Sequence, residues 1–303
     1  MKLYQGTALL WVMSRAYAVV EAACDPTVVT VELQPYEIIC SGVTRESTST
    51  RSTPPVPTLR CDRFGYLIQD QTLYRVNIST GVTTQVRDQV GPVGQVNAIG
   101  YNTQDNYLYG IARNGTANVL LQIGGDGSSK VIASNIPDTN NDYNAGDFTA
   151  DGHLWISSGG NAWAEIDLSD PTSSTYGMVI NSGDATDSRD ATGSGLVYDW
   201  VSLPSYPGSL YALTVANPNT YLLAWSTSTH EWSLVKNYGV IDGAGAIGAA
   251  YSTNNGTFYA MGNQSGNVFA VNVGDPDEEP TVVSTAPQSS LNDGARCQLA
   301  SEV

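Results

Sequence analysis

The chain has 303 residues, of which 14% are charged and 41% apolar, with 30 Gly and 17 Tyr; with its many Thr, Ser, Val and Asn this favours pleated strands and tight turns over long helices. Lys and Arg total 13 against 29 Asp plus Glu, and the formal charge of −16 gives phosphate backbones and anionic membranes no attraction. Nucleic-acid binding is therefore excluded as an expectation.

At the N-terminus, Lys2 precedes an apolar run from Thr7 to Met13 and then Ala16-Tyr17-Ala18, the pattern of a secretory signal over residues 1–18. That run is too short to span a bilayer and no later one is long enough to cross it, so no membrane insertion is expected. Residues 19–40 form a short arm in which Val28 to Ile39 alternates like one or two strands between Cys24 and Cys40. Residues 41–58 lack apolar periodicity, are crowded with Ser and Thr, and end in a proline cluster, which reads as a linker.

From residue 59 to 299 the chain is periodic. A turn residue, a spacer and a large apolar pair recur at Gly65 to Ile68, Asn106 to Tyr109, Gly152 to Trp155, Gly208 to Tyr211 and Gly256 to Tyr259. Each predicts the second strand of a blade. Small, Gly-containing segments ending in Tyr101, Phe148, Trp200 and Tyr251 come before four of them and suit a crowded innermost strand; these aromatics are 47, 52 and 51 residues apart. Alternating third strands and, in most units, an apolar fourth follow. Four strands per unit at this spacing predict an all-β, five-bladed β-propeller.

The first unit lacks an inner strand, while Asn292 to Cys297 supplies a spare one at the end, 46 residues after Tyr251. Cys61 precedes Leu67 by six residues, matching the spacing of the inner aromatics, so Cys61 and Cys297 occupy equivalent places in one shared blade. They are expected to bond, a clasp contributing about 4 to 5 kcal/mol by loop closure. Cys24 and Cys40 then pair by elimination, as an oxidising compartment allows. Sequons at Asn77, Asn114, Asn255 and Asn263 are candidate glycosylation sites.

Three of these segments, Cys61 with Gly65 to Ile68, Val96 to Tyr101, and the closing Asn292 to Cys297, resemble a family of secreted, largely fungal proteins carrying a domain of unknown function. The resemblance covers roughly Cys61 to Cys297. It implies a propeller-like extracellular protein and no established activity.

Propellers place ligands at the central channel or on the loops of one rim. The residue before each inner aromatic, with its counterpart in the tail, is Gly100, Asp147, Asp199, Ala250 or Arg296, which predicts two carboxylates and a guanidinium sharing the axis. Asp147 and Asp199 are candidates for an acid and base, with Arg296 orienting a ligand, or for a structural ion cluster. Asp184, Asp187 and Asp190 form an oxygen-rich loop that can hold calcium but lacks the alternation of a calcium hand; no other cofactor is expected. Two histidines, His153 and His230, are too few for a multi-histidine metal centre, and no nucleophile elbow appears. Most tryptophans fall on recurring strand positions and are expected in the core, leaving Tyr206 and Trp232 as candidate exposed stacking groups. The expectation is a secreted monomer, extracellular or cell-wall associated, that recognises an extracellular glycan or protein surface. The alternatives are a polysaccharide-acting hydrolase or lyase using the paired aspartates, and a structural surface component.

Overall fold

The structure is a computed structural model that describes residues 7–9, 21–23, 56–92, 94–114, 117–137, 142–186, 195–216 and 218–300. The chain divides into two units, Met1–Pro54 and Pro55–Val303. In the first, strands β1 (Thr7–Leu9) and β2 (Glu21–Ala23) pair antiparallel, with Thr7 opposite Ala23. The rest of the expected signal and arm, including Cys24 and Cys40, and the linker up to Pro55 lie outside the described residues.

The second unit is built of five four-stranded antiparallel sheets, and among the described residues it holds no helix. Blade I begins with β3 (Gly65–Gln69), β4 (Thr72–Val76) and β5 (Thr83–Arg87). Blade II comprises β6 (Val96–Asn102), β7 (Tyr107–Asn114), β8 (Ala117–Ile123) and β9 (Ser129–Ile136). Blade III comprises β10 (Ala145–Phe148), β11 (His153–Ser158), β12 (Ala162–Asp167) and β13 (Val179–Asp184). Blade IV comprises β14 (Val201–Ser202), β15 (Ser209–Ala216), β16 (Asn219–Ser226) and β17 (Trp232–Gly239). Blade V comprises β18 (Ile247–Ser252), β19 (Thr257–Gly262), β20 (Asn267–Asn272) and β21 (Thr281–Thr285). The last strand, β22 (Asn292–Ala295), pairs with β3 and becomes the innermost strand of blade I. The molecule is thus an all-β, five-bladed propeller closed by its own tail, and the Cys61–Cys297 disulfide links the two ends.

Burial on both faces explains why these segments pack as blades. The second and third strands carry large apolar residues on both faces because each blade is covered by two neighbours. Five buried clusters fill the five gaps: one around Ile68 and Tyr101, one around Tyr109 and Phe148, one around Trp155 and Trp225, one around Leu213 and Phe258, and one around Leu67 and Tyr251. The fourth strands are largely exposed. In every blade the ladder between third and fourth strand is interrupted by a register shift, at Leu73/Tyr74, Leu120/Leu121, Glu165/Ile166, Leu222/Leu223 and Val268/Phe269. Such bulges strengthen twist, which makes an exposed outer edge a poorer template for pairing with other chains.

Near the axis the blades approach so closely that side chains become obstacles. A Cβ on Gly146 would lie 2.2 Å from the Ala98 carbonyl oxygen of the neighbouring blade, so this position in β10 requires glycine. The described end of the expected linker is also fixed. The Gly125 amide donates to the Pro57 carbonyl at 2.7 Å, and the Leu59 amide to the Asn106 carbonyl at 2.8 Å.

Candidate functional site

The innermost strands of blades III and I and the segment just before β14 in blade IV hold three buried carboxylates, Asp147, Asp293 and Asp199, and their hydrogen bonds follow one rule. One oxygen of each accepts the amide of the next residue in its own chain. The other reaches across to the inner strand of the following blade. Asp147 accepts from Phe148 and Ser202, both at 2.8 Å. Asp199 accepts from Trp200 at 2.8 Å and Ala250 at 2.6 Å. Asp293 accepts from Gly294 at 3.0 Å and Ile99 at 2.6 Å. These bonds staple blade III to IV, IV to V and I to II.

Burial dominates the electrostatics. It pushes Asp147 up to about 7, in spite of the two amides that favour its ionised form. Asp199 is raised well above the ordinary carboxylate value by burial and then by the charge of Asp293; Asp293 is raised by burial and by Asp147. The three groups therefore repel one another when ionised. The buried Tyr251 phenol is held up by burial and by Asp199 and Asp293, and its hydroxyl has no hydrogen-bond partner among the described residues.

Asp293 replaces Arg296 in the arrangement expected from the sequence. Within their blades, Asp147 faces Trp155 and Asp293 faces Ile68, each the second residue of an apolar pair, while in blade IV Val201 takes that place opposite Tyr211. Arg296 lies beyond the end of β22, buried, with Nη1 donating to the Ser252 carbonyl at 2.7 Å. Farther along, Gln298 Nε2 donates to the Phe148 carbonyl at 3.0 Å. The tail thus ties itself to blades V and III, and Arg296 contributes to that tie. The spacing of Cys61 pointed to the right blade and disulfide but to a position three residues too late. Asp293 sits opposite Ile68, second of its apolar pair as Trp155 is, a pairing that the register of β22 on β3 reveals.

Trp232 is not an exposed stacking group: it is 3% exposed, and its Nε1 donates to the Gly160 carbonyl at 2.7 Å. It joins a cluster in which Trp200 stacks on Trp225 at 5.4 Å and His230 on Trp163 at 4.1 Å. Tyr206 is half-buried, edge-on to Tyr211 at 6.1 Å, and packs against the gap between blades IV and V. Asp184 is exposed at the end of β13, while Asp187 and Asp190 lie outside the described residues. Among the described residues no three His, Cys, Asp or Glu side chains converge as metal ligands would. Asn263 is buried, and its Oδ1 accepts from the Asn292 amide at 2.9 Å. Asn77 is half-buried, Asn255 is exposed, and the side chain of Asn114 lies outside the described residues. On the rim of blade III, His153 Nδ1 meets Glu165 at 2.7 Å, and its Nε2 is 3.8 Å from Asp167. Asp167 is itself committed to Ser169 and Thr175.

Solved structures similar to this chain include a nidogen–laminin complex, at 8% identity over 78% of this chain and 99% of that one, with a TM-score of 0.45. A streptogramin B lyase matches at 12% identity over 73% of this chain and 74% of that one, with a TM-score of 0.41. A virginiamycin B lyase from Staphylococcus aureus matches at 12% identity over 67% and 60%, with a TM-score of 0.40. No curated protein matches the chain. Residues 66–299, which take in strands of all five blades, match the family described as Repeat of unknown function (DUF6923), and the chain belongs to that family.

Proposed function

We propose that this is a secreted recognition or adhesion protein, extracellular or cell-wall associated, that displays loops on a rigid ring and binds an extracellular glycan. The observation that carries this reading is the use of the axial carboxylates. Each oxygen of Asp147 and Asp199 is already held by a backbone amide, and each group bridges two blades. A general acid and base must present a free oxygen to substrate within hydrogen-bond reach. Stapled carboxylates instead supply rigidity, which suits a surface that binds without rearranging. The Cys61–Cys297 bond supports an oxidising compartment, in keeping with the resemblance to secreted, largely fungal proteins.

The test is a glycan array and an insoluble-polysaccharide pull-down with the full, unreduced chain, beside the Asp147→Asn/Asp199→Asn variant with its thermal unfolding recorded. Glycan retained by both proteins supports recognition. Product release that a folded variant loses would replace this reading with the hydrolase or lyase. Silence in both assays would replace it with a structural surface component.

A further inference from the structure

A cleft of about 350 Å³ opens between blades I and II, within the roughly 300–1,000 Å³ usual for small-ligand sites. Its floor is apolar, formed by the buried Leu59 and Tyr66 with the half-buried Val86. Two guanidiniums, Arg60 and Arg75, line it on the blade I side, and Asp126 lines it from the β8–β9 turn of blade II.

The charges are arranged for a ligand. Arg75 is held in place, ion-paired with Asp62 and lying 3.8 Å over the centre of the Phe64 ring. Arg60 is exposed, and its guanidinium has no acidic partner among the described residues. Arg87 Nε donates to the Asp126 carbonyl at 3.1 Å, which adds a third cation beside the cleft and fixes the turn. On a molecule of net charge −16, anions are repelled from most of the surface, so this group of cations marks where one can approach. Asp126 stays ionised: slight burial raises it, but the hydroxyl and amide of Ser128 and the charge of Arg87 hold it below the usual carboxylate value. A fixed anion there disfavours a second negative charge at its own end of the cleft and accepts hydrogen bonds from hydroxyls.

We infer that this cleft binds the carboxylate-bearing sugar of an acidic, uronate-containing glycan. The sugar carboxylate pairs with the Arg60 guanidinium beside Arg75, a fork geometry suited to carboxylates. Its apolar ring face lies on Tyr66 and Val86, and its hydroxyls donate to Asp126. The inference rests on the glycan reading above and narrows it to one sugar class and one place.

Calorimetric titration of the full, unreduced chain tests it, with a galacturonate oligomer, its methyl ester and a neutral oligosaccharide of equal length. Arg60→Ala and Arg60→Glu are the variants, since an exposed arginine can be changed without disturbing the core. The acidic oligomer is expected to bind, the ester and the neutral sugar at least ten-fold more weakly, and both variants to lose at least ten-fold with unchanged Tm. Equal binding of acid and ester, or full binding by both variants, overturns the cleft assignment. Neutral glycan bound regardless of Arg60 overturns it while preserving the broader glycan reading. Binding of no glycan overturns both.

Discussion

Asp293 Oδ2 accepts the amide of Ile99 at 2.6 Å, joining residues 194 apart in the sequence and tying the tail's strand to blade II. Its other oxygen holds Gly294, so Asp293→Ala leaves two buried amides without acceptors. An unsatisfied buried group costs about 1–3 kcal/mol, so two predict a loss of roughly 2–6 kcal/mol in urea unfolding. A loss below about 0.5 kcal/mol, the scale of an ordinary surface change, would show that the staple does not hold the ring.

The three carboxyls set a pH dependence. Asp147 has a folded value near 7 against 3.8 unfolded, so between those values the folded state holds a proton the unfolded chain has released. The stabilisation present below about 4 is therefore lost as pH rises through about 7, at up to about 1.4 kcal/mol per pH unit for one proton. Asp199 and Asp293 are shifted in the same direction and add to the slope. Tm is expected to be higher at pH 5.5 than at pH 8, and Asp147→Asn to shrink the difference. A Tm rising steadily towards pH 8 would contradict the ordering.

Cys61 and Cys297 are bonded with their Cα atoms 5.2 Å apart, at a sequence separation of 236. Cys297→Ser frees the tail in the unfolded chain, and the closed-loop entropy predicts a loss of about 5 kcal/mol. Non-reducing peptide mapping should recover the two cysteines in one linked species, lost on reduction together with a large drop in Tm. Free thiols at both positions would remove the clasp.

The blades were legible because each repeats the same physical requirement, a turn followed by an apolar pair that must be covered from both sides. Phe148, Trp200 and Tyr251 therefore marked inner strands without knowledge of any contact. The shared blade was legible as a pairing of ends but not in its register. Asp293 sits opposite Ile68 because β22 stops at Ala295, and spacing to Cys297 carries no information on where a strand stops. Nor does composition show whether a carboxylate is free or stapled: Asp147 reads as a catalytic candidate until the Ser202 amide, 55 residues away, is seen on its oxygen. The Arg60 cleft was illegible because its walls come from residues near 60, 75, 86 and 126, which no local pattern connects.

Trp232 distinguishes core from ligand platform. Its indole fills the blade III–IV cluster and its Nε1 satisfies Gly160. Trp232→Phe removes that donor and part of the packing, a loss of about 1–3 kcal/mol in denaturant unfolding. Glycan affinity of the folded variant should be unchanged. A variant of wild-type stability with impaired binding would restore the stacking role.

Tyr251 yields the opposite sign. It stands opposite Tyr259 in the register that places Asp147 opposite Trp155, so its side chain takes the inter-blade direction used elsewhere by a staple. Its ring packs against Gly65 and Gly294, where a Cβ would come within 2.7 and 2.9 Å of ring carbons. The ring is therefore needed, but the hydroxyl, buried and without a partner among the described residues, is not. Deleting a buried, unsatisfied polar atom removes a desolvation cost of about 1–3 kcal/mol while keeping the packing. Tyr251→Phe is expected to raise Tm, or at worst to leave it unchanged, whereas Tyr251→Ala opens a cavity and costs about 3–5 kcal/mol. If Tyr251→Phe instead lowers stability by more than 1 kcal/mol, the hydroxyl has a partner at the propeller axis, and the gap between blades V and I is bridged by a fourth polar staple.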